Sequence, residues 1–294
     1  MPSVVIFSPA KLNLFLAITG RRPDGFHDLV SVVAPVKFGD TLWVEPSAGD
    51  SFSFECDDPA VPRDETNLIL RAAKLFKERT GLPAGAHFVL EKRIPMGAGL
   101  GGGSSNAVAA LLALNQLAGG ALDCGALLAL AVKLGSDCAL FLQGVPVVMR
   151  GRGERVEPLT PKARVRLSGR RVLIFKPSFG IATAWAYGRL AADAPTSYLP
   201  ASEAEARLAG WLEGTDPAEK LLFNNMERPA FAKYLALPVL LERLQREFDL
   251  AVGMSGSGSA CYLLLRADTP VREVVGRLQA TFGPHTFIAD TEIV

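Results

Sequence analysis

Apolar residues recur along the first half of the chain in two different patterns. Short alternating or β-branched segments are typical of strands with one buried face. Between them, Leu68, Leu75 and Phe76 fall on one helical face, after Thr66 as the expected cap and before Gly81. The pattern predicts strands over residues 3–7, 11–18, 30–36, 41–44, 51–56 and 86–94, and helices over 67–80, 106–117 and 123–135, the last capped by Asp123 and ended by Gly135.

The second half of the chain mixes strands and helices in the same way. A second loop rich in glycine and serine, Gly253–Ala260, enters a buried strand there. The predicted strands cover residues 145–150, 155–159, 171–176, 261–265 and 286–289. One helix is predicted to start near Thr183, and three more are predicted over 202–213, 238–248 and 270–282. This mixture predicts an α+β fold. Pro158 and Pro161 mark a boundary, so we expect two domains, residues 1–160 and 161–294.

The most distinctive stretch is Pro95–Asn106, which contains five glycines between a predicted strand and a long helix. Glycine allows close approach of the backbone to a ligand and tolerates positive φ. The helix is expected to begin at Ser104 or Ser105, and the unpaired N–H groups and dipole of a helix start attract anions. A glycine-rich loop in this position is typical of phosphate binding. The alternative is an ordinary turn capped by serine.

Two known glycine motifs do not fit this loop. Gly97, Gly99 and Gly102 have the spacing of a dinucleotide fingerprint, and Asp123 follows about twenty residues later. No predicted strand lies between them to bring Asp123 to a ribose. The lysine of a Walker-type loop and the H-R-D and D-F-G motifs of protein kinases are also absent. Phosphoryl transfer by another kind of kinase remains open, because it requires mainly positioning and charge neutralisation.

Composition narrows the class of partner. Lys and Arg number 31 against 30 Asp and Glu, a net charge of +1, which argues against nucleic acid or an anionic membrane as the main partner. The four cysteines form no CxxC pair, which favours a reduced, cytoplasmic protein. We find no signal peptide at the N-terminus and no apolar run long enough to span a bilayer.

Three places outside the glycine loop carry candidate chemistry. Lys11 and Asn13 share one face of a predicted strand, Phe26 and His27 follow a Pro-Asp-Gly turn, and Asp137 follows the end of a helix, where the dipole disfavours negative charge. Lys11 and Asp137 are the available cation and base for phosphoryl transfer. Each place also has a plain alternative: a solvated strand face, a loop anchored by its aromatic ring, or an exposed turn aspartate.

Several segments together resemble the GHMP kinases, a family that includes galactokinase and the homoserine, mevalonate and phosphomevalonate kinases. Pro95–Ala107 is similar to their phosphate-binding motif, and Gly253–Ala260 is similar to their C-terminal glycine motif. Four further segments, Ser8–Leu16, Arg22–His27, Asp64–Leu68 and Leu134–Asp137, resemble the member that phosphorylates the 2-hydroxyl of a cytidine diphosphate-linked methylerythritol in the non-mevalonate isoprenoid pathway. The resemblance covers essentially the whole chain.

The resemblance implies a fold, cofactors and partners. The fold would combine an N-terminal ribosomal-protein-S5-like nucleotide domain with a C-terminal ferredoxin-like α/β sandwich. ATP and Mg²⁺ would be the cofactors, and the partner would be the small-molecule substrate, with no nucleic acid and no membrane. The protein would be a monomer or weak homodimer.

The resemblance also implies a role for each matching residue. Asp137 would take the proton of the substrate hydroxyl, and Lys11 would keep Asp137 ionised and offset charge on the phosphoryl group. His27 would read the cytosine edge while Phe26 and Tyr187 stack on the ring. The implied ATP-binding residues are Asn67, Lys92, Pro95, Met96, Gly97, Ala98, Gly99, Leu100, Gly101, Gly102, Gly103, Ser104, Ser105 and Asn106. The implied substrate-binding residues are Asn13, Phe26, His27, Thr183, Tyr187 and Gly258.

Two alternatives to this function stay open. One is another GHMP small-molecule kinase, of the mevalonate or homoserine type, and the other is a nucleotide-binding regulator without catalysis. The turn carrying Phe26 and His27 favours a cytidyl substrate over the first, although many relatives have tyrosine where this chain has Phe26. Lys11 and Asp137 argue against the second.

Overall fold

A computed structural model describes residues 3–294 and contains both helices and strands. The strands are β1 (Val4–Arg21), β2 (His27–Ser47), β3 (Phe52–Cys56), β4 (Gly85–Glu91), β5 (Val147–Gly151), β6 (Arg155–Pro158), β7 (Arg171–Lys176), β8 (Phe223–Asn224), β9 (Ala251–Met254), β10 (Cys261–Leu264) and β11 (Phe287–Glu292). The helices are α1 (Leu68–Thr80), α2 (Gly102–Leu117), α3 (Cys124–Leu134), α4 (Cys138–Phe141), α5 (Pro161–Arg164), α6 (Thr183–Ala192), α7 (Ala201–Glu213), α8 (Glu227–Lys233), α9 (Ala236–Phe248) and α10 (Val271–Phe282). Within this described range, every helix is too short or too polar to traverse a lipid bilayer.

Helix α1 starts one residue later than its sequence predicted. Its cap is Asn67, whose Oδ1 accepts a hydrogen bond from the Ile69 N–H at 2.8 Å, and the predicted cap Thr66 is wrong. Thr66 belongs to the preceding turn, where its N–H donates to the Asp64 carboxylate at 2.9 Å. The predicted end at Gly81 is confirmed, with a φ of 74° that favours glycine.

Helix α2 starts earlier than its sequence predicted. Gly101 has a φ of 73° and precedes the first helical residue, Gly102, so the predicted starts at Ser104, Ser105 or Asn106 are wrong. Ser105 therefore lies inside the first turn, where the hydroxyl of Ser8 donates to it at 2.8 Å. Serine propensity for the cap position was overridden because the left-handed glycine ends the loop before the serines are reached.

Strands β1 and β2 are longer than the segments predicted for them. The predicted segments 30–36 and 41–44 form one strand of 21 residues. Its first part pairs with β5 from Leu29 to Val33, and its later part pairs with β4 from Thr41 to Ser47, both antiparallel. Strand β2 is also hydrogen-bonded to β1 in the same sheet, so β4 and β5 are not its only partners.

Contacts group the chain into two compact units. The first unit contains the residues up to Ala10, Phe38–Met96 and Gly101–Gly144, and the second contains Lys11–Lys37, Gly97–Leu100 and Val145–Val294. In the first unit, β3 is parallel to β4, which is antiparallel to β2, and α1, α2 and α3 pack on one another. The expected division at residues 160 and 161 stays a prediction.

The second unit contains a four-stranded antiparallel sheet with the spatial order β11, β7, β10, β9. Along the chain, helices follow β7, then come β9, β10, α10 and β11. This is the ferredoxin-like arrangement, and it confirms the expectation for the C-terminal part. Phe175 and Leu263 of the sheet pack in one core with Leu237 and Leu278 of the helices. The short elements β8 and α8 were not predicted.

Candidate active site

We call the first glycine-rich stretch, Pro95–Asn106, the phosphate loop. Its residues Gly97–Leu100 belong to the second unit and pack against the second glycine loop, Gly253–Ala260. The Ser255 hydroxyl donates to the Gly99 carbonyl at 2.9 Å, and the Ala260 N–H donates to the Ala98 carbonyl at 3.0 Å. Gly99 has a φ of 77°, and a Cβ there would lie 2.2 Å from the Ser255 carbonyl oxygen. Only glycine fits this position. The two glycine-rich motifs are therefore parts of one backbone arrangement.

Lys11 and Asn13 lie on β1 and are both buried. The Lys11 backbone N–H donates to the Leu100 carbonyl at 2.9 Å, which joins β1 to the phosphate loop. The Lys11 ammonium donates to Oδ1 of Asn13, and Nδ2 of Asn13 donates to the Ser31 hydroxyl at 3.0 Å. The Tyr262 hydroxyl donates to the Asn13 carbonyl at 2.9 Å. Both ends of the Asn13 amide are engaged, so this side chain orients Lys11.

Thr183 and Gly258 are brought together beside the second glycine loop. The Thr183 hydroxyl lies 3.0 Å from the Ser257 hydroxyl, next to Gly258, and Thr183 is the first residue of α6. Gly258 has a φ of 83°. The structure thus places two of the predicted substrate-binding residues next to the loop that braces Gly99.

His27 lies in an aromatic pocket of the second unit. Its ring centroid is 4.9 Å from that of Tyr187 and 5.9 Å from that of Tyr198, the latter edge-on. Its Nε2 is buried and has no hydrogen-bond partner among residues 3–294. Burial, with a smaller effect of the Arg21 charge, lowers the pKa of His27. The imidazole is therefore neutral at neutral pH and retains an unused polar atom.

Phe26 presents its ring near the surface, with 52% of the residue exposed. The guanidinium carbon of Arg152 lies 5.0 Å from the ring centroid, within the range of a cation–π contact. The sequence did not predict a role for Arg152, because an arginine between two glycines in a turn belongs to no recognisable motif. The contact holds an exposed aromatic ring in place.

In the first unit, Lys92 and Asn106 meet at the buried carboxylate of Asp40. The Lys92 ammonium is 2.8 Å from Asp40 Oδ2, and Asn106 Nδ2 donates to the same oxygen at 3.0 Å. The ammonium also donates to the Ile94 carbonyl. A Cβ on Gly102 would lie 3.2 Å from the Lys92 nitrogen. Lys92 and Asp40 thus form a buried ion pair beside Gly102, the first residue of α2.

Asn67 and Asp137 also belong to the first unit. Asn67 caps α1, and its Nδ2 donates to the Pro62 carbonyl at 2.6 Å. Asp137 is half-buried and occupies the position before α4. It follows the end of α3 but also precedes a helix, so the helix dipole does not single it out as unfavourable. Lys11 belongs to the other unit, and its pairing with Asp137 stays a prediction.

Three residues that contact predicted site residues have no signal in the sequence: Asp40, Tyr198 and Arg152. Each acquires its importance through residues distant along the chain. By contrast, the predicted site residues Lys11, Asn13, Gly97–Leu100, Thr183 and Gly258 all lie within one unit. Their roles toward ATP and substrate remain predictions.

Comparison with known proteins defines the class. The sequence profile of the GHMP kinases N terminal domain matches residues 67–145, and that of the GHMP kinases C terminal domain matches residues 212–284. The chain belongs to the GHMP kinase family, and it has the two-domain fold of that family.

Individual relatives of this chain carry the name of one particular kinase of the family. The 4-diphosphocytidyl-2-C-methyl-D-erythritol kinase of Methylacidiphilum infernorum (isolate V4) is 36% identical over 98% of this chain and 96% of its own length. A crystal structure of 4-(cytidine 5'-diphospho)-2C-methyl-D-erythritol kinase is also 36% identical, covers 98% of this chain and 99% of its own, and superposes with a TM-score of 0.76. The mevalonate kinase of Methanococcus jannaschii has a TM-score of 0.75 over 100% and 99% of the two chains at 13% identity, which reflects the shared fold alone.

Proposed function

We propose that this chain transfers the γ-phosphoryl group of ATP to the 2-hydroxyl of 4-diphosphocytidyl-2-C-methyl-D-erythritol, in the supply of isoprenoid precursors. The observation that carries the proposal is the 36% identity to a kinase of that name over 98% of the chain. ATP is the phosphoryl donor of GHMP kinases, and the match to both domains of the family supports its use here.

Lys11 and Asp137 supply the chemistry in this proposal. Asp137 accepts the proton of the attacking hydroxyl, and the Lys11 ammonium offsets negative charge that builds up on the transferred group. The burial of Lys11 and its hydrogen bond to Asn13 support this role, because a fixed cation in a poorly solvated place acts strongly on a developing charge. Asn13 would contribute by orienting that cation.

Recognition of the cytosine falls to His27, Phe26 and Tyr187. The unused Nε2 of a neutral imidazole can bind the polar edge of a base, and stacking on an aromatic ring contributes about 1–3 kcal/mol per base. Mevalonate and homoserine have no such base to bind. The aromatic pocket therefore favours a cytidyl substrate over those of the other GHMP kinases.

Mg²⁺ is expected to bind as a complex with ATP. Across residues 3–294, no group of three or more His, Cys, Asp or Glu side chains has the arrangement of a metal site. Magnesium in phosphoryl-transfer enzymes is held largely by substrate phosphates and water, so this chain suits a metal carried by the nucleotide. When bound, the ion would neutralise phosphate charge. We also expect the protein to be a cytoplasmic monomer or weak homodimer that binds neither nucleic acid nor a membrane.

The test is turnover with defined acceptors. Purified protein is incubated with ATP, Mg²⁺ and 4-diphosphocytidyl-2-C-methyl-D-erythritol, and in parallel with mevalonate or homoserine. Phosphorus NMR and mass spectrometry identify the product. We expect a new phosphomonoester on the cytidyl substrate alone. Phosphorylation of mevalonate or homoserine instead, or ADP release independent of any acceptor, would refute the assignment.

A further inference from the structure

The two residues that flank the turn between β8 and α8, Asn224 and Glu227, hydrogen-bond to the backbone of the second glycine loop. Asn224 Nδ2 donates to the Met254 carbonyl at 2.8 Å and to the Gly256 carbonyl at 2.9 Å. The Met254 N–H donates to the Glu227 carboxyl at 2.9 Å. Two side chains three residues apart therefore hold both backbone polar groups of Met254. We call Asn224 and Glu227 the loop clamp.

The clamped loop in turn supports the phosphate loop. Ser255, between the two clamped residues, donates to the Gly99 carbonyl at 2.9 Å. The Ser255 carbonyl oxygen lies 2.2 Å from the position that a Cβ of Gly99 would take. A shift of Met254–Gly256 would therefore disturb Gly99 through this hydrogen bond and through the close approach of the two backbones. The loop clamp thus acts on the phosphate loop through one intermediate layer.

Glu227 is half-buried, and its carboxyl accepts a hydrogen bond from the neutral Met254 N–H. The charge of Glu227 contributes to raising the pKa of Cys261 and of Tyr262 on β10, and both are groups that become negative when they ionise. Arg228, on its own helix, turns away to the Thr196 carbonyl at 3.0 Å. The Lys11 ammonium lies 3.4 Å from the position that a Cβ of Gly256 would take. Burial raises the pKa of Glu227 to about 7, against a smaller lowering by the Met254 N–H.

We propose that Asn224 and Glu227 are positioning residues for the nucleotide and that Glu227 performs this role in its neutral form. A neutral carboxyl accepts the Met254 N–H without placing charge beneath a loop that binds phosphates. Its carboxylate would repel those phosphates through poorly solvated protein. By reciprocity, ATP favours the protonated carboxyl, so ATP binding takes up a proton near neutral pH. The inference rests on the proposed kinase function but not on the identity of the acceptor.

The experiment measures binding of ATP with Mg²⁺ by titration calorimetry at about pH 6 and about pH 8.5, in buffers of differing ionisation enthalpy. The proteins are the wild type, Glu227→Gln and Asn224→Ala, with Glu203→Gln as an exposed control. ATP titrates in the same range, but it does so equally with every protein. We expect the wild type to lose on the order of tenfold more affinity than Glu227→Gln between the two pH values.

The loop clamp also predicts distinct outcomes for the variants. Glu227→Gln keeps an acceptor for the Met254 N–H, so its affinity near pH 6 should match the wild type and its proton uptake should be smaller. Asn224→Ala should weaken ATP binding at both pH values and keep the wild-type pH dependence. Glu203→Gln should match the wild type throughout, because that carboxylate lies in an exposed ion pair with Arg207.

The proposal is overturned if Glu227→Gln and the wild type have the same pH dependence and proton uptake, whatever their thermal stability. A merely structural role for Glu227 would leave this pH dependence unchanged. Because ATP binding is measured without an acceptor, the result is independent of the turnover test above, which alone decides the acceptor.

Discussion

Asp40 provides the sharpest test of how the first unit is held together. It is fully buried on β2 and accepts hydrogen bonds from the N–H groups of Arg93 and Ile94, both at 2.7 Å. The Lys92 ammonium lies 2.8 Å away and Asn106 Nδ2 lies 3.0 Å away. One carboxylate therefore joins the end of β4 to the beginning of α2. It also neutralises a lysine side chain that is only 4% exposed.

The substitution Asp40→Asn keeps the size of the side chain, removes its charge and replaces the Oδ2 acceptor of Lys92 and Asn106 with an amide nitrogen. The amide can still accept the two backbone N–H groups, but it presents an NH₂ group to the ammonium. Breaking one side of a buried ion pair costs about 3–5 kcal/mol, because the remaining charge is left without compensation. We expect this loss in the free energy of unfolding measured with urea. The thermal midpoint should fall by roughly 10 °C, since about 2–4 °C accompany each kcal/mol in chains of about 150–250 residues.

The matched control is the double substitution Asp40→Asn with Lys92→Met. If uncompensated charge causes the loss, removing the ammonium should restore most of it, and the cycle should show a coupling of about 2 kcal/mol or more between the two residues. A loss below about 1 kcal/mol for Asp40→Asn would refute the reasoning. So would a double variant that is no more stable than the single one.

Three further predictions concern the site. Asp137→Asn should reduce kcat by a factor of about 10²–10⁴ with little change in ATP binding; near-normal turnover would remove Asp137 as the base. His27→Ala should raise KM for the cytidyl substrate about tenfold or more and leave KM for ATP unchanged, as expected from the loss of one base contact. Because the pKa of His27 is lowered, the wild-type KM should rise only as pH falls below the ordinary imidazole range, and an unchanged KM in the variant would exclude the contact. Gly99→Ala should destabilise the protein by more than about 1 kcal/mol and weaken ATP binding, since φ is 77° and the Cβ would lie 2.2 Å from the Ser255 carbonyl; wild-type ATP affinity would contradict the packing of the two loops.

Local chemistry accounts for the parts of the fold that could be predicted. Asp123 and Gly135 bound α3 as expected, because an aspartate cap and a terminal glycine satisfy helix ends with nearby atoms. The start of α2 was missed because two signals compete within a few residues: serines that favour the cap, and Gly101, whose left-handed backbone ends the loop first. The continuity of β2 depends on strands that pair with it from distant parts of the chain.

The sequence by itself determined the class of this protein. Its two glycine-rich motifs, and the residue types at Lys11, His27 and Asp137, are local patterns that resemble those of the GHMP kinases, the family to which the chain belongs. Only the tertiary structure revealed the supporting residues Asp40 beside Lys92 and the loop clamp of Asn224 and Glu227. These are ordinary polar residues whose partners lie far away along the chain. Their roles arise from burial, because a polar group removed from water must find a partner, and the fold decides which one it finds.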